Sequence, residues 1–441
     1  MAYRKNIRKI TVKSLKKVFE GKRPIGYVVD KVLSTNKDLD GKDRDLFTFL
    51  VYGTYKRVIT IDWILRNIYG KKLYLDNELK AIIYLGVFEI FYSNIPEYAT
   101  INELVEIAKR FISKKAGNFV NFILRRVIEN GFPELPSDEI ERASILYSHP
   151  TWLVRRWKKE VGDDYVKVLE ANLKKKDIHL RLNSLKGINN CKMKLFEEDI
   201  KFKDSPYLSS SVRVEEGFDI FRSLAFKEGY VTVQDEASQL ISHIVDPRKN
   251  EKILDTFAGR GNKTTHLLEL SGNGAIVFSL DKNRNKLKDL KENVKRLSLK
   301  MPEIINEKLE NFKVDFKFDK ILFDAPCTGL GTVRRKPEIL SRIRKEDIKR
   351  SASNIMRLLN IVKNMVRIGG SIIYSVCSFE KEEGEDIIKS FLSKNRNFDM
   401  DNISIYLPEK AKIFIRKKFF YTIPGVDDVD GFFASRLIRL C

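Results

Sequence analysis

Cysteine and histidine are scarce in this chain, which has only four residues of each type among 441. The cysteines show no C-x-x-C spacing, so the sequence predicts neither a zinc site nor a disulfide framework, and we expect no metal. Two roles remain for the thiols: packing inside a core, or thiol chemistry at a site. The four cysteines are Cys191, Cys327, Cys377 and Cys441.

Long apolar runs are also lacking. The densest one reads AIIYLGVFEIFY at residues 81–92 and is too short to cross a bilayer. The chain starts with MAYRKNIRKI, which begins with charges and contains no apolar core of the kind found in secretion signals. We therefore expect a cytoplasmic protein with no membrane partner.

Acidic residues are outnumbered by basic ones. Lysine and arginine total 82 against 60 aspartates and glutamates, which gives a formal charge of +22. The basic residues recur in clusters along the whole chain, whereas a membrane-surface protein concentrates them on one helix or tail. Nucleic acid is therefore the expected partner, and the alternative is a set of solvated charged faces. The clusters are KKAGN at 114, RRWKK at 155, KKK at 174, RRK at 334 and RKK at 416.

The pattern of apolar residues divides the chain into three regions. Residues 1–135 show helical periods and predict an all-α domain of about six helices. Prolines and a glycine at 130–140 predict a linker, with Ser137 as the N-cap of the next helix. Residues 139–222 mix helices with short alternating strands such as IHLRLNSL and SSVRVEE, and they predict a small α+β subdomain. Residues 223–441 alternate strand and helix signals.

This third region predicts a doubly wound α/β domain. Four short apolar runs suit strands buried on both faces, and the helical stretches between them are long enough for crossover connections. Ligands of such sheets bind at the carboxyl ends of the strands, so residues that directly follow the runs are candidate site residues. The runs are KILD, AIVFSLD, KILFD and SIIYSV.

A glycine-containing loop follows the first of these strands and opens a helix. Its glycines permit ligand atoms to approach the backbone closely. It is not a phosphate-binding P-loop, because asparagine rather than glycine precedes its lysine, and it lacks the third glycine of a dinucleotide fingerprint. The loop consists of Phe257, Ala258, Gly259, Arg260, Gly261, Asn262 and Lys263.

An acidic residue at the end of the second strand completes this pattern. Asp281 lies twenty residues past Gly261, where a carboxylate is suited to hold ribose hydroxyls. S-adenosylmethionine fits these features because it contains a ribose and no phosphate. The alternative is an ordinary turn from strand to helix with a capping aspartate.

Two cysteines follow the third and fourth strands. Asp324 and Cys327 lie in DAPCTGLG, and Cys377 lies in YSVCS. Either cysteine alone is readily explained as a small buried hydrophobe. A thiol beside a methyl donor suits methylation of cytosine at carbon 5, because that carbon becomes nucleophilic only after a thiolate adds to carbon 6. Asp324 is then expected to contact either the base or the methionine end of the cofactor.

At these motifs the chain resembles the RNA (cytosine-5)-methyltransferases of the RsmB/Nop2/Sun family, and the resemblance covers nearly the whole chain. DAPCTGLGTVRRKPEI and YSVCSFEKEEGED are similar to the two cysteine motifs of the family. VQDEASQL resembles the start of its catalytic domain, and IPGVDDVDGFF resembles its C-terminal signature. KDRDLFTFLVYGTYKR, INELVEIAKR and FVNFILRR resemble the NusB-type RNA-binding helical domain that one branch of the family carries.

The resemblance implies a Rossmann-like methyltransferase domain and roles for individual residues. Cys377 would be the nucleophile and Cys327 would assist release of the methylated RNA. Lys263 and Asp324 complete the implied catalytic set. Asp281 would hold the ribose of S-adenosylmethionine. The implied cofactor contacts also include the loop at 257–263, Asp324 and Glu307, the last at the position of the family's adenine-binding aspartate.

The loop departs from the family pattern at two positions, since Arg260 and Asn262 replace a proline and a glycine. The implied function is transfer of a methyl group to carbon 5 of a cytosine in 16S ribosomal RNA, free or in a small-subunit assembly intermediate, through a covalent adduct. Two alternatives stay open. One is a methyltransferase for transfer RNA or DNA. In the DNA cytosine-5 enzymes the Pro-Cys motif supplies the nucleophile, which in this chain would be Cys327. The other is a non-enzymatic RNA-binding factor.

Overall fold

A computed structural model describes residues 6–175, 177–214 and 219–441. The first five residues, the third lysine of the KKK cluster and the last two residues of SSVRVEE lie outside these ranges. The chain forms two compact units, one of Met1–Lys175 with Val333–Arg342, the other of Lys176–Thr332 with Ile343–Cys441. The division into three domains stays a prediction.

The α-helices of the described residues are α1 (Ile7–Phe19), α2 (Ile25–Thr35), α3 (Gly41–Lys56), α4 (Val58–Tyr69), α5 (Asn77–Tyr92), α6 (Glu97–Phe111), α7 (Lys114–Asn130), α8 (Glu139–Leu146), α9 (Thr151–Val161), α10 (Tyr165–Leu173), α11 (Ile188–Glu197), α12 (Leu224–Lys227), α13 (Glu236–Val245), α14 (Asn262–Leu270), α15 (Arg284–Arg296), α16 (Glu338–Arg342), α17 (Lys345–Val362) and α18 (Glu385–Lys394).

The strands are β1 (Ile178–Leu182), β2 (Phe202–Asp204), β3 (Ser211–Val214), β4 (Val231–Val233), β5 (Lys252–Asp255), β6 (Ile276–Leu280), β7 (Glu303–Ile305), β8 (Phe318–Asp324), β9 (Val366–Val376), β10 (Phe398–Met400), β11 (Ile415–Arg416), β12 (Phe419–Thr422) and β13 (Phe432–Arg439).

The first unit is helical and is built around α5. Every residue from 81 to 89 is buried, because apolar side chains cover all faces of this helix. The described residues up to 130 form seven helices rather than about six, and the apolar stretch 46–65 is divided between α3 and α4 at Arg57. Helix α8 is capped by Asp138, whose side chain accepts from the Glu141 amide, so the prediction of Ser137 as N-cap was wrong.

The second unit contains two sheets. The smaller one is antiparallel, with the strand order β2-β3-β1-β4. The larger one has the order β11-β12-β13-β9-β8-β5-β6-β7, in which the five strands from β9 to β7 are parallel to one another. This parallel core confirms the predicted doubly wound, Rossmann-like α/β fold. Strand β13 joins it antiparallel to β9, a pairing that the sequence did not predict.

The central parallel strands β5 and β8 are buried on both faces, as their continuous apolar runs predict. Along β8, Ile321 and Phe323 pack with α17 and α18, whereas Leu322 between them packs with α13, α14 and α15. Because successive side chains of a strand point to opposite faces, the two groups of helices cover opposite sides of the sheet. The carboxyl ends of the strands therefore meet at one edge, where the candidate residues lie.

No helix among the described residues combines the length and the apolar character needed to cross a membrane.

Candidate active site

The loop between β5 and α14 holds the first group of candidate residues. Gly259 and Gly261 have φ angles of 56° and 83°, which side-chain-bearing residues rarely adopt. At Gly261 a Cβ atom would lie 2.6 Å from Leu290 Cγ, so the helix packing also requires glycine there. At Gly259 it would meet only the Phe257 carbonyl, 3.8 Å away, so this side of the loop faces open space. A ligand can therefore approach the backbone at Gly259.

The carboxyl group of Asp281 is fixed toward this loop. Its Oδ2 accepts from the Gly259 amide at 3.0 Å, and its Oδ1 accepts from the Asn283 amide at 2.7 Å. Only 7% of the residue is exposed. Each oxygen keeps a further lone pair, which suits a carboxylate that accepts two adjacent ribose hydroxyls.

Two other candidates lie at the periphery of the loop. The Arg260 guanidinium pairs with Asp289 on α15 at 3.1 Å, and 65% of its side chain is exposed. Glu307 follows β7 in an exposed turn, where its Oε1 accepts from the Lys308 amide and from Asn311 Nδ2. The first of these bonds contributes most to lowering the pKa of Glu307. A role in adenine binding stays a prediction for this residue.

An ion pair connects the loop to the third strand. Lys263 Nζ donates to Asp324 Oδ2 at 2.7 Å, and Ser375 Oγ donates to Asp324 Oδ1 at 2.8 Å. Burial lowers the pKa of Lys263, but Asp324 and a negative charge on Cys377 outweigh it, so the pKa rises above its usual value. Lys263 is therefore a fixed cation close to the end of β9.

The two cysteines lie together. Cys327 Sγ and Cys377 Sγ are 3.4 Å apart, although fifty residues separate them in the sequence. The hydrogen bond to Cys377 and burial together raise the pKa of the Cys327 thiol, and negative charge on Cys377 and Glu383 raises it further. Cys327 is therefore held as a thiol, which can donate a hydrogen bond to its neighbour.

The loop around Gly431 contacts the Cys327 loop, which in turn contacts the end of β9 at Cys377. The Gly331 amide donates to the Cys377 carbonyl at 3.1 Å, and the Gly431 amide donates to the Gly331 carbonyl at 2.8 Å. A Cβ atom at Gly331 would lie 1.9 Å from the Gly431 carbonyl oxygen, so glycine is required at this crossing. The motifs around Cys327, Cys377 and Gly431 thus meet through their backbones.

The sequence did not point to three buried residues beside this site. Asp255 ends β5 and accepts from Thr264 Oγ1 at 2.7 Å, and burial raises its pKa to about 7. Its only sequence signal was its place at a strand end. Glu383 accepts from the Thr328 amide at 2.8 Å. Arg181 on β1 pairs with Glu269 at 2.8 Å and also donates to the Asn262 carbonyl, a contact between the smaller sheet and helix α14 that no motif indicates.

Three sequence profiles match the chain one after another. Residues 5–129 match the NusB family, and residues 149–221 match the ferredoxin-like domain of RsmF/B-like methyltransferases. Residues 242–438, which carry the loop, the ion pair and both cysteines, match the family described as 16S rRNA methyltransferase RsmB/F.

Known proteins resemble the chain over nearly its whole length. It is 30% identical to the probable ribosomal RNA small subunit methyltransferase B of Bacillus subtilis (strain 168), with 98% of each chain covered. The crystal structure of PH0851 is similar with a TM-score of 0.86 and 26% identity, covering 99% of this chain and all of that one. A methyltransferase homolog protein from Pyrococcus horikoshii matches with a TM-score of 0.59 and 26% identity, covering 69% of this chain and all of that one.

These matches confirm the resemblance drawn from the motifs, and their order along the chain is that of the helical region, the small sheet and the large sheet. The site residues described above lie within the matched methyltransferase segment, except Arg181 in the ferredoxin-like segment. The chain belongs to the RsmB/F family of methyltransferases.

Proposed function

We propose that this protein transfers a methyl group from S-adenosylmethionine to carbon 5 of a cytosine in 16S ribosomal RNA. The observation that carries the proposal is the pair of thiols 3.4 Å apart beside the Lys263–Asp324 ion pair. A methyltransferase that acts on a nucleophilic nitrogen or oxygen needs no thiol. Cytosine carbon 5 needs one, because it is too electron-poor to attack a methyl group directly.

The loop at 257–263 and Asp281 fit the proposed cofactor. The open space at Gly259 admits a ligand, and the two oxygens of Asp281 suit a ribose. Asp324 ends β8 and pairs with Lys263 at the end of the loop, so a contact with the methionine end is the alternative to its contact with the base. Glu307 after β7 is the candidate for the adenine amino group. When bound, S-adenosylmethionine supplies the methyl group that carbon 5 accepts.

Cys377 is the proposed nucleophile. Its thiolate adds to carbon 6, and the electron pair of the double bond moves toward carbon 5 and the ring. The Lys263 cation favours the thiolate, because a neighbouring positive charge stabilises the charged form of a thiol. Asp324 is held by Lys263 and Ser375, and it is the proposed group that bonds the edge of the base.

Cys327 is the proposed release residue. After methylation, water takes the proton from carbon 5, the carbon 5–carbon 6 double bond forms again, and the carbon–sulfur bond breaks with its electron pair on Cys377. A protonated Cys327 at 3.4 Å can donate a hydrogen bond to the departing sulfur and stabilise the thiolate that forms.

The RNA substrate is proposed from charge and from the relatives. A formal charge of +22 suits a polyanion, and the Bacillus subtilis relative is named as a ribosomal RNA small subunit methyltransferase. The NusB match covers helices with basic residues at their ends, including Lys109, Arg110 and Lys114. The partner is then 16S RNA, either free or within a small-subunit assembly intermediate.

The test is transfer of a radiolabelled methyl group from S-adenosylmethionine to 16S RNA, 23S RNA, transfer RNA and DNA in parallel, with the labelled base then mapped. We expect 5-methylcytosine in 16S RNA only. Cys441→Ala is the matched control, because it removes an exposed thiol outside the site. Label in transfer RNA or DNA would identify that nucleic acid, rather than 16S RNA, as the substrate. No transfer to any of the four would favour a non-enzymatic RNA-binding factor.

A further inference from the structure

Glu383 is a buried acid whose carboxyl group contacts the loop of Cys327. It lies in a short turn after β9 and has no exposed surface. Its Oε1 accepts from the Thr328 amide at 2.8 Å, and its Oε2 accepts from Thr328 Oγ1 at 2.6 Å. Ser351 Oγ on α17 is a third donor to Oε1. Both carboxylate oxygens therefore accept hydrogen bonds. Two of these three bonds come from Thr328, which directly follows Cys327.

The main chain of Glu383 contacts the other cysteine-bearing element. Tyr374 Oη donates to the Glu383 carbonyl, and Tyr374 lies on β9 three residues before Cys377. One residue therefore links the loop of Cys327 to the strand that ends at Cys377. This link fixes the two sulfur atoms relative to each other.

A buried carboxyl group carries a desolvation penalty that a purely structural contact does not require. Among the described residues, no lysine, arginine or histidine side chain forms an ion pair with Glu383, so its donors are all uncharged. Burying a carboxyl group without a cation costs more than burying an amide of the same shape. Its negative charge also contributes, after the hydrogen bond to Cys377 and burial, to the raised pKa of Cys327.

We propose that Glu383 is a positioning residue that holds Cys327 beside Cys377 for the release of the methylated base. This inference rests on the proposed function. Glu383 acts through Thr328 on the orientation of Cys327, and through its charge on the proton that Cys327 keeps. Formation of the adduct needs Cys377 and Lys263, whereas the Glu383 carboxyl group hydrogen-bonds to Thr328 and Ser351, so its loss affects release more than addition.

The test is Glu383→Gln, which preserves the shape and removes the charge. Methyl transfer in a single turnover should stay within about threefold of the wild type, while multiple turnover falls at least about tenfold and a protein–RNA adduct accumulates on denaturing gels. Thr328→Val should likewise slow multiple turnover but not the single turnover, because it removes the Oγ1 donor. Thr328→Ser keeps a hydroxyl donor and should release RNA at close to the wild-type rate. Glu385→Gln is the matched control in the same motif, where the acid pairs with Lys389.

Two results would overturn the inference. In one, Glu383→Gln and Thr328→Val lower transfer and adduct formation together, as expected of a general loss of folding. In the other, both variants release RNA at the wild-type rate. Failure of the proposed function gives a different result, in which the wild type transfers no methyl group and Cys327→Ala traps no adduct. If Glu383→Gln does not fold, Thr328→Val and Thr328→Ser decide the question alone.

Discussion

The surroundings of Cys377 and Cys327 differ in charge, although the two sulfur atoms are only 3.4 Å apart. The Cys377 side contains Lys263, and a negative charge on Cys377 contributes to the raised pKa of that lysine. The Cys327 side contains Glu383, whose negative charge contributes to the raised pKa of Cys327. Two residues of one type can thus be prepared for different tasks, because a cation favours a thiolate and an anion favours a thiol.

The largest expected effect comes from removing the thiol on the cationic side. Cys377→Ala should lower methyl transfer at least about 10⁴-fold, because it removes the attacking atom, and should form no adduct. Binding of RNA and of S-adenosylhomocysteine should stay near wild-type values. Transfer assays with radiolabelled cofactor and a calorimetric titration check both statements. Substantial transfer by this variant would contradict the assignment of Cys377 as nucleophile.

Removing the thiol on the anionic side should fail differently. Cys327→Ala should still add to the base and transfer one methyl group, but release should slow by roughly 100-fold, since the donor to the departing sulfur is lost. The measurement is the amount of protein–RNA adduct that survives denaturing electrophoresis, with Cys327→Ala/Cys377→Ala as the control. An adduct formed by Cys377→Ala and absent from Cys327→Ala would reverse the two roles, as in the DNA enzymes.

The charge of Lys263 can be tested without touching either thiol. Lys263→Gln should slow methyl transfer by roughly 100-fold, because Asp324 loses its cationic partner and the Cys377 thiolate loses a nearby cation. The pH profile of transfer should also move toward higher pH, since the thiolate then forms less readily. Lys282→Gln, on the exposed residue after Asp281, is the control. A profile that does not move would separate Lys263 from the activation of Cys377.

Asp281 tests whether the cofactor loop is independent of the thiols. Asp281→Ala should raise the dissociation constant of S-adenosylhomocysteine by about 30-fold, equivalent to about 2 kcal/mol of lost hydrogen bonding, and leave RNA affinity nearly unchanged. Calorimetric titration gives both constants. Asp289→Ala removes only the partner of Arg260 and is expected to have little effect. An unchanged constant in Asp281→Ala would remove this residue from the site.

The last expected effect is on stability rather than on binding or catalysis, and it concerns pH and Asp255, whose pKa depends in part on the Lys263–Asp324 pair. Its pKa is about 7 in the folded protein against an ordinary value of 3.8, so the folded state binds this proton more tightly. The resulting stabilisation is complete below the ordinary pKa and is lost as the pH rises through about 7. Relative to Asp255→Asn, the wild type should lose roughly 1 kcal/mol of stability per pH unit across this window. Thermal melting of both proteins at pH 5, 6 and 7 checks this, and parallel curves would contradict it.

The sequence was most informative about the strands. KILD coincides with β5, KILFD and SIIYSV lie within β8 and β9, and AIVFSLD contains β6. The runs were informative because strands buried on both faces must be continuously apolar. It was less informative about ends and edges. Helix periodicity did not detect the break at Arg57, since the apolar pattern continues across it. The antiparallel β13 was missed because its pairing with β9 joins residues about sixty positions apart.

Local sequence by itself determined the inventory of the site: a glycine loop after one strand, an acid after the next, and a cysteine after each of two more. Only the tertiary structure decided which of these meet. Strands β8 and β9 are neighbours in the sheet, so Cys327 and Cys377 come within 3.4 Å, and β5 beside β8 brings Lys263 to Asp324. Strand order and the burial of Glu383 depend on contacts between distant segments, and a periodic pattern carries no information about such contacts.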